Sequence, residues 1–408
     1  MTKTIFIICQ HGYGIGHLAR ACAIADQLTV GHGARVYLFS GGRHCAGIGI
    51  PVQANVIQMP AVEFEKITGT GHVRLQPVDT DLALEEVESA RAEMLVEALH
   101  ALRPDAIVIE YYPFAPERFG QTLNPLLELL SQMEVRPLTV CSVRTFPTDP
   151  TLATAAAVNA LLRAHFDLVL HHTDHNVYTQ QDIGEEFYEA TAGVPLFVTG
   201  LVCRRASLQA QKDECEGLLF TVGGGRDGLN YLLKWLESAS MSRYCNSLPI
   251  TVVCGPFMPS ADVERVMLWQ GKNNICVLNS VTSDQMSVLM SNAAGIVCMG
   301  GYNTLNEALE SQKPVLAFPR LDYVEQEKHI SLLAKKGLLI AGSLMASSSE
   351  IARQLELLRE FQPNYSIGFS GAAASATCIM EVCNGRIPAI SPGFQGGSVV
   401  KTGSESRG

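Results

Sequence analysis

The sequence predicts an α/β protein with two Rossmann-like domains that face each other across a cleft. Short apolar, strand-like segments alternate with helix-like segments along most of the 408 residues, which is typical of parallel sheets covered by helices. The order strand, glycine loop, helix occurs at residues 4–28 and again at 217–238. The pattern therefore starts twice, and the length also suits two domains better than one.

The first half opens with a strand-helix-strand unit of the parallel-sheet type. Strands are predicted at 4–9 and 35–40, with a helix at 18–28 between them. A strongly helical pattern then covers 85–102. Three further strands are predicted at 105–110, 138–143 and 167–171.

The second half repeats this organisation. Strands are predicted at 217–222, 250–254, 274–278, 295–299 and 314–318, and helices at 229–238, 283–292 and 303–310. We predict an N-terminal domain over 1–200, a C-terminal domain over 201–386 and a flexible tail over 387–408 that is rich in Gly, Ser and Pro. The linker is expected near 199–211, and a helix-like segment at 370–383 is expected to return to the first half.

Composition excludes several classes of protein. Apolar residues make up 47% and charged residues 17% of the chain, so a large core can form, and the net charge of −10 argues against nucleic-acid binding. Twelve cysteines without a CxxC pair indicate reduced cytoplasmic thiols rather than a zinc or disulfide framework. Apolar runs are too short for a signal peptide or a transmembrane helix, so membrane contact is expected to be peripheral at most.

The first glycine loop contains Gly14 and Gly16 and leads into His17. Glycine lets the backbone approach a ligand closely, and the following helix start favours anionic groups. The spacing matches neither the dinucleotide fingerprint nor a Walker loop. His17, at the mouth of the loop, is suited to general base chemistry near neutral pH, whereas His11 is expected to be structural.

Two further glycine loops occur in the second half. Gly223–Gly225 is followed by Arg226, which is expected to face a phosphate. Gly300 and Gly301 lead into a helix that starts at Asn303, with Thr304 in its first turn. Each loop is therefore a candidate phosphate site.

Carboxylate and amide side chains follow the third loop. Glu307 lies one helical turn after Thr304, where its carboxylate can accept two O–H bonds from a diol such as ribose. Further on, Glu325, Gln326 and His329 can bond to sugar hydroxyls. This segment suits a ligand with phosphate at one end and hydroxyls at the other.

Candidate acceptor-side residues leave two strands of the first half. Glu110, Tyr111 and Tyr112 follow one strand and Arg144 follows another. Such strand ends line ligand crevices in open sheets, although the aromatic rings could equally cover the core. The His171–His175 segment is interpreted as a strand exit, and no metal site is predicted.

The segment "MGGYNTLNEALESQKPVLAFPRLDYVEQEKHISLLAKKGL" resembles the donor-binding region of nucleotide-sugar glycosyltransferases with the GT-B fold. The most similar group includes the bacterial N-acetylglucosaminyltransferase of lipid II synthesis. "HGYGIGHLARA" is similar to the family's first glycine loop and "TVGGG" to its second-domain loop. The resemblance implies that the first domain binds the acceptor and the second binds the donor.

The resemblance also implies a role for each matched position. Glu307 would bind the ribose, the glycines and Thr304 would hold the diphosphate, and Glu325 and Gln326 would hold the donor sugar. His17 would be the base or would steady the diphosphate. The donor-binding set is Gly14, Gly16, Gly223, Gly224, Gly225, Arg226, Gly300, Gly301, Asn303, Thr304, Glu307, Glu325 and Gln326.

A metal-independent sugar transfer follows, with no cofactor, from a UDP-sugar or a dTDP-sugar to a hydroxyl or amine of a small or lipid-linked acceptor. The lipid II enzyme has two glutamines where Glu325 and Gln326 stand, so the identity of the sugar stays open. Two alternatives also stay open. One is a nucleotide-sugar epimerase or hydrolase of the same fold, and the other is a non-enzymatic protein that binds nucleotide sugars.

Overall fold

The computed structural model describes residues 2–12, 16–44, 53–66, 73–147, 153–203, 217–321, 323–364 and 367–386. Two parallel sheets dominate it, one built from each half of the chain. A two-stranded antiparallel hairpin accompanies the first sheet. The prediction of an α/β fold with two Rossmann-like domains is confirmed.

The first sheet has seven parallel strands in the order β3-β2-β1-β6-β7-β8-β9. Every residue of β6 is buried, as expected for a central strand covered on both faces. The strands of this half, with the hairpin β4-β5, are β1 Thr4–Cys9, β2 Arg35–Ser40, β3 Asn55–Gln58, β4 Val62–Lys66, β5 Val73–Pro77, β6 Ala106–Glu110, β7 Leu138–Arg144, β8 Leu168–His172 and β9 Leu196–Val198.

The second sheet has six parallel strands in the order β12-β11-β10-β13-β14-β15. Strands β10 and β13 are central neighbours, so the loops that follow them lie side by side. The strands are β10 Gly217–Thr221, β11 Ile250–Val253, β12 Ile275–Leu278, β13 Ala293–Met299, β14 Val315–Phe318 and β15 Ile340–Ala341.

Helices cover both sheets. Those of the first half are α1 Gly16–Asp26, α2 Leu84–Leu102, α3 Pro116–Gln132, α4 Ala155–His165, α5 Gln180–Ile183 and α6 Glu185–Thr191, and a π-helical turn, Gln27–Gly31, extends α1. Those that follow are α7 Leu229–Ser240, α8 Arg243–Asn246, α9 Ser260–Met267, α10 Ser283–Asn292, α11 Tyr302–Glu310, α12 Val324–Lys335, α13 Ser348–Leu357 and α14 Gly371–Cys383, with a 3₁₀ turn at Lys272–Asn274.

The last helix, α14, packs on the first domain although it follows the second in sequence. Ala372, Ala376 and Ile379 share one buried cluster with Leu18 and Ile24 of α1. The segment before α14 is also hydrogen-bonded to the segment after β9. The amide of Leu201 donates to the Gly368 carbonyl at 3.0 Å, and the amide of Gly371 donates to the Leu201 carbonyl at 3.0 Å. The predicted return of this segment is confirmed. The predicted tail and most of the predicted linker lie outside the described residues.

Several short elements are absent from the sequence prediction. No element is predicted between residues 41 and 84, yet β3 and the hairpin β4-β5 lie there. Strand β3 is mostly exposed at the sheet edge, so its sequence lacks the apolar run of a buried strand. The hairpin alternates charged and apolar residues, a half-buried pattern that is weak over five residues.

Candidate functional site

The carboxyl ends of the two sheets enclose a cleft of about 1730 Å³. Ligand pockets usually measure about 300–1,000 Å³, so this cleft has room for two substrates. Its lining includes Gly16, His17, Tyr111 and Arg144 from the first domain, and Gly223, Gly224, Gly225, Arg226, Gly301, Asn303, Thr304, Glu307, Glu325 and Gln326 from the second. Nearly all of the predicted site residues that the structure describes therefore meet at one place. Gly14 lies outside the described residues.

The glycine loop after β10 meets the start of α11. A Cβ atom at Gly223, whose φ is +63°, would lie only 2.7 Å from the Thr304 hydroxyl oxygen. Only glycine allows this close approach and this backbone conformation together. The first turn of α11 carries amide groups without helical partners, and these favour an anion.

The role predicted for several of the glycines needs correction. The amide of Gly223 donates to Thr221 Oγ1 at 3.3 Å, and that of Gly225 donates to the Val222 carbonyl at 3.3 Å. The amides of Gly300 and Gly301 donate to the carbonyls of Phe318 at 2.7 Å and Met299 at 2.8 Å. These amides are already bonded within the fold, and Gly300 does not line the cleft, since a Cβ there would lie 2.5 Å from Ile330 Cδ1. The amides at the start of α11 are therefore the better candidates for binding a phosphate.

We expect Gly223→Ala to weaken UDP binding at least tenfold, or about 1.4 kcal/mol, because the new methyl group would displace Thr304. Gly271→Ala is the matched control, because Gly271 has a φ of +78° and nothing within 4 Å of the added Cβ. Both proteins are titrated calorimetrically with UDP. Equal UDP affinity in the two variants would show that the Gly223–Thr304 contact is not part of a phosphate site.

His17 faces the cleft and is held from behind by Glu110. Its Nδ1 lies 3.0 Å from Glu110 Oε1, and its side chain is 27% exposed. Glu110 also pairs with Arg20, and its Oε2 accepts from Ser142 Oγ at 2.6 Å. Arg20 Nη2, which can only donate, also lies 3.1 Å from Nδ1, but it already donates to Glu110 Oε1. Because the Glu110 carboxylate can only accept, we assign the proton of neutral His17 to Nδ1, which leaves the Nε2 lone pair available as a base.

Electrostatics support this protonation state. Burial opposes the charge of Glu110, but Arg20 and His17 outweigh it and hold the pKa of its carboxyl far below the usual range. Burial, aided by Arg20 and Arg144, lowers the pKa of His17, although its bond to Glu110 works in the other direction. At neutral pH the pair is therefore an ionised carboxylate and a neutral imidazole.

Two of the acceptor-side predictions are wrong. Glu110 is 2% exposed and supports His17 from beneath instead of lining the cleft. Tyr112 is also 2% exposed, and its hydroxyl donates to Asn124 Oδ1 at 2.6 Å within the first domain. Tyr111, in contrast, lines the cleft, with its ring centroid 5.4 Å from that of His17.

Contacts across the cleft tie the two domains together. Arg144 Nη2 donates to Glu325 Oε2 at 2.7 Å, and Asn303 Nδ2 donates to the Gly16 carbonyl at 2.7 Å. Arg226 lies 3.7 Å from Glu63 of the hairpin β4-β5. The predicted donor residues thus have partners from the first domain, which the sequence did not reveal.

Of the polar residues predicted to bond to sugar hydroxyls, two line the cleft and the third is buried away from it. Glu325 and Gln326 line the cleft, and Gln326 Oε1 accepts from the amide of Arg320 at 2.9 Å. His329 is 2% exposed and bonds through Nε2 to the Tyr178 hydroxyl, so it does not reach a sugar.

The dense histidine segment, which begins with the last two residues of β8, makes contacts within the fold. His171 Nε2 lies 3.1 Å from the Thr145 carbonyl, and Asp174 Oδ2 accepts from the amide of Gly368 at 2.7 Å. Within the ranges that the structure describes, no group of three or more His, Cys, Asp or Glu side chains is placed to hold a metal ion. None of the described helices has the length and apolar character needed to cross a bilayer.

Residues 218–365 match the family described as "Glycosyltransferase family 28 C-terminal domain". This range contains the loop after β10, the helix α11 and the residues Glu325 and Gln326. No curated protein sequence matches the chain.

Solved glycosyltransferases share the whole architecture. UGT2 of Phytolacca americana, complexed with UDP-2fluoro-glucose and pterostilbene, is 14% identical with a TM-score of 0.56, covering 94% of each chain. TcCGT1 in complex with UDP is 13% identical with a TM-score of 0.57, covering 94% of this chain and 99% of its own. MurG of Acinetobacter baumannii is 14% identical with a TM-score of 0.50, covering 94% and 99%.

The structural likeness, at this low identity, establishes the fold, and the family match identifies the domain that holds the predicted donor residues. Together they confirm the prediction of a glycosyltransferase with the GT-B fold, in which residues 218–365 of the second half match the glycosyltransferase family 28 C-terminal domain.

Proposed function

We propose that the protein transfers a sugar from a UDP-sugar to a hydroxyl or amine of an acceptor bound in the cleft, without a metal ion. The observation that carries this proposal is that His17 and the start of α11 line the same cleft, with His17 held by its bond to Glu110. UDP is favoured over dTDP because the structurally similar UGT2 and TcCGT1 were solved with UDP or a UDP-sugar analogue.

The donor residues are assigned along α11 and the segment that follows it. Thr304 and the first-turn amides of α11 hold the diphosphate, Glu307 accepts from the ribose hydroxyls, and Glu325 and Gln326 hold the sugar. All of these side chains line the cleft. Asn303 and Arg226 belong to the same wall, where their first-domain partners fix their positions.

The chemistry requires a base and a site for growing negative charge. Nε2 of His17 removes the acceptor proton as the acceptor oxygen or nitrogen bonds to the anomeric carbon. The bond between that carbon and the diphosphate oxygen breaks, and UDP leaves with the electron pair. Glu110 stabilises the imidazolium, and the start of α11 stabilises the diphosphate, which is why no metal is needed.

We assign the acceptor wall to the first domain, whose side of the cleft includes several apolar side chains among its charged ones. Phe64, Leu75 and Phe119 line the cleft, and the ring centroids of Phe64 and Phe119 lie 5.8 Å apart. An acceptor with an apolar body fits this wall, whether it is a small aromatic molecule or the lipid-linked end of a larger one. We place the reaction in the cytoplasm, where the ten described cysteines, all of them free thiols, would stay reduced.

Glu307→Ala is expected to weaken UDP binding by about 1–3 kcal/mol, because the ribose hydroxyls lose a charged acceptor. Glu310→Ala is the matched control, since Glu310 lies one turn further along α11 and does not line the cleft. Both are compared with the unmodified protein by calorimetric titration. The ribose assignment fails if Glu307→Ala binds UDP as tightly as the control.

The whole proposal is tested by incubating the protein with UDP-sugars and a panel of apolar hydroxyl acceptors, followed by mass spectrometry. The expected result is an acceptor that gains one sugar together with an equal amount of UDP. UDP release without a glycosylated product would indicate a hydrolase, and binding without turnover would indicate a non-enzymatic role.

A further inference from the structure

The first residue of the donor-binding helix, Tyr302, reaches into the first domain. Its hydroxyl donates to the His172 carbonyl at 2.8 Å and lies 3.4 Å from Thr145 Oγ1. The centre of its ring lies 5.6 Å from the guanidinium carbon of Arg20. A residue of the donor domain therefore contacts two separate parts of the acceptor domain.

Arg20 and the end of β8 are both connected to the Glu110 carboxylate by hydrogen bonds. Arg20, against the Tyr302 ring, donates from Nε to Glu110 Oε1 at 3.0 Å. On the other side, the ring of His172 bonds through Nε2 to Ser142 Oγ at 2.9 Å, and Ser142 donates to Glu110 Oε2 at 2.6 Å. Arg20, which bonds to Oε1 of Glu110, contacts the Tyr302 ring directly. Ser142, which bonds to Oε2, is connected to Tyr302 through His172.

Tyr302 is also fixed relative to the donor. It lies two residues before Thr304 and five before Glu307 on the same nine-residue helix. Asn303, the next residue, donates from Nδ2 to the Gly16 carbonyl at 2.7 Å, directly before His17. With α11 in this position, hydrogen bonds and a ring contact connect the proposed donor-binding helix to Glu110 and to the residue before His17.

We propose that Tyr302 is a positioning residue that couples the placement of the donor-binding helix to the orientation of the base His17. Donor bound to α11 stabilises the arrangement in which Tyr302 contacts Arg20 and the end of β8, and Glu110 then holds His17 in its active orientation. The base is fully positioned only when the two domains meet around the donor. This inference rests on the proposed sugar transfer and on the role of His17 in it.

The test compares Tyr302→Phe and Tyr302→Ala with the unmodified protein. Tyr302→Phe keeps the ring against Arg20 but removes the hydroxyl, and kcat is expected to fall about fivefold, the loss expected for one net hydrogen bond. Tyr302→Ala removes both contacts, and a larger fall in kcat is expected. The Kd for UDP in Tyr302→Phe is expected to rise by no more than about fivefold, because donor binding is coupled to the arrangement that the hydroxyl stabilises but the hydroxyl does not contact the donor itself.

Tyr178→Phe is the matched control, because the Tyr178 hydroxyl also bonds across the domains, to His329. The ring centroid of His329 lies 5.8 Å from that of Tyr302, but within the described part of the chain His329 has no hydrogen bond to Glu110, Arg20 or Ser142. Its kcat is expected to remain within about twofold of the parent value. An equal loss of kcat in Tyr178→Phe and Tyr302→Phe would mean that Tyr302 only joins the domains, and would overturn the proposal.

A double variant separates positioning from general stability. In a His17→Ala background, Tyr302→Phe is expected to reduce turnover no further, since residues that act through one group are not additive. A full fivefold loss in that background would overturn the proposal, as would an unchanged kcat for Tyr302→Phe alone. Absence of any sugar transfer by the unmodified protein would instead contradict the proposed function itself, which distinguishes the two failures.

Discussion

Replacing His17 by alanine is expected to reduce turnover by about 10²–10⁴-fold, the usual contribution of a general base. The acceptor would then have to lose its proton to water. UDP affinity should change little, because the groups proposed to bind the diphosphate lie on α11. The measurement is steady-state sugar transfer together with calorimetric UDP binding.

The pH profile gives a second test of His17. Because burial lowers the pKa of this residue from its ordinary value of 6.5, the acid limb of kcat/KM is expected to lie below pH 6.5. The base is neutral and active above that limb and is lost as the pH falls through the folded pKa. His100→Ala, a substitution at an exposed position of α2, serves as the control. If turnover of His17→Ala stays within a few-fold of that of the unmodified protein, His17 has a structural role.

Glu110→Gln is expected to cause a loss of turnover in the same range, about 10²–10⁴-fold, by analogy with amide replacement of the carboxylate in a serine protease triad. Glutamine has nearly the same shape, but its amide group can donate to Nδ1 and so favour the tautomer that carries its proton on Nε2. That tautomer cannot accept the acceptor proton. Arg20, almost completely buried, would also lose its charged partner.

Asp105→Asn is the matched control for Glu110→Gln. Asp105 precedes the same strand β6 at its opposite end, where it bonds to Lys3 at 2.8 Å and the amide of Thr4 at 2.8 Å. This change can reduce stability, but it should leave turnover of the folded protein intact. If both variants retain full turnover, Glu110 does not orient the base.

The sequence was most informative where function requires neighbouring residues in the chain. The glycine loop before His17, and the run from Gly300 to Glu307, are local signals because one turn and one helix create each arrangement. The structure places Gly16 and His17 of the first segment, and residues 301–304 and Glu307 of the second, in the cleft. Their roles stay predictions until the variants above are measured.

The sequence was least informative where the site combines residues from strands that are adjacent in the sheet but distant in the chain. Glu110 was predicted on the acceptor side because it ends a strand, but only the sheet order shows that β6 lies beside β1 and its loop to His17. An acidic residue at the end of a neighbouring strand is the signal that could have identified it. Tyr111 and Tyr112 differ in burial because the chain turns at Tyr111, where φ is +69°.

Contacts between the domains were beyond reach of the sequence. Arg144 and Glu325 are 181 positions apart, and their bond depends on the relative placement of two separately folded sheets. The same holds for Tyr302 and His172. Local patterns predict each domain, but they contain no information about which side chains meet when the domains close.

The position of α14 has a consequence for recombining this enzyme with others of its fold. A chimera that exchanges everything before residue 200 would separate α14 from α1 and leave Ala372, Ala376 and Ile379 against a foreign surface. The natural unit of exchange is discontinuous: the first 200 residues together with 371–383. A recombinant that moves both pieces together would transfer the proposed acceptor domain with its own packing intact and leave the proposed donor domain unchanged.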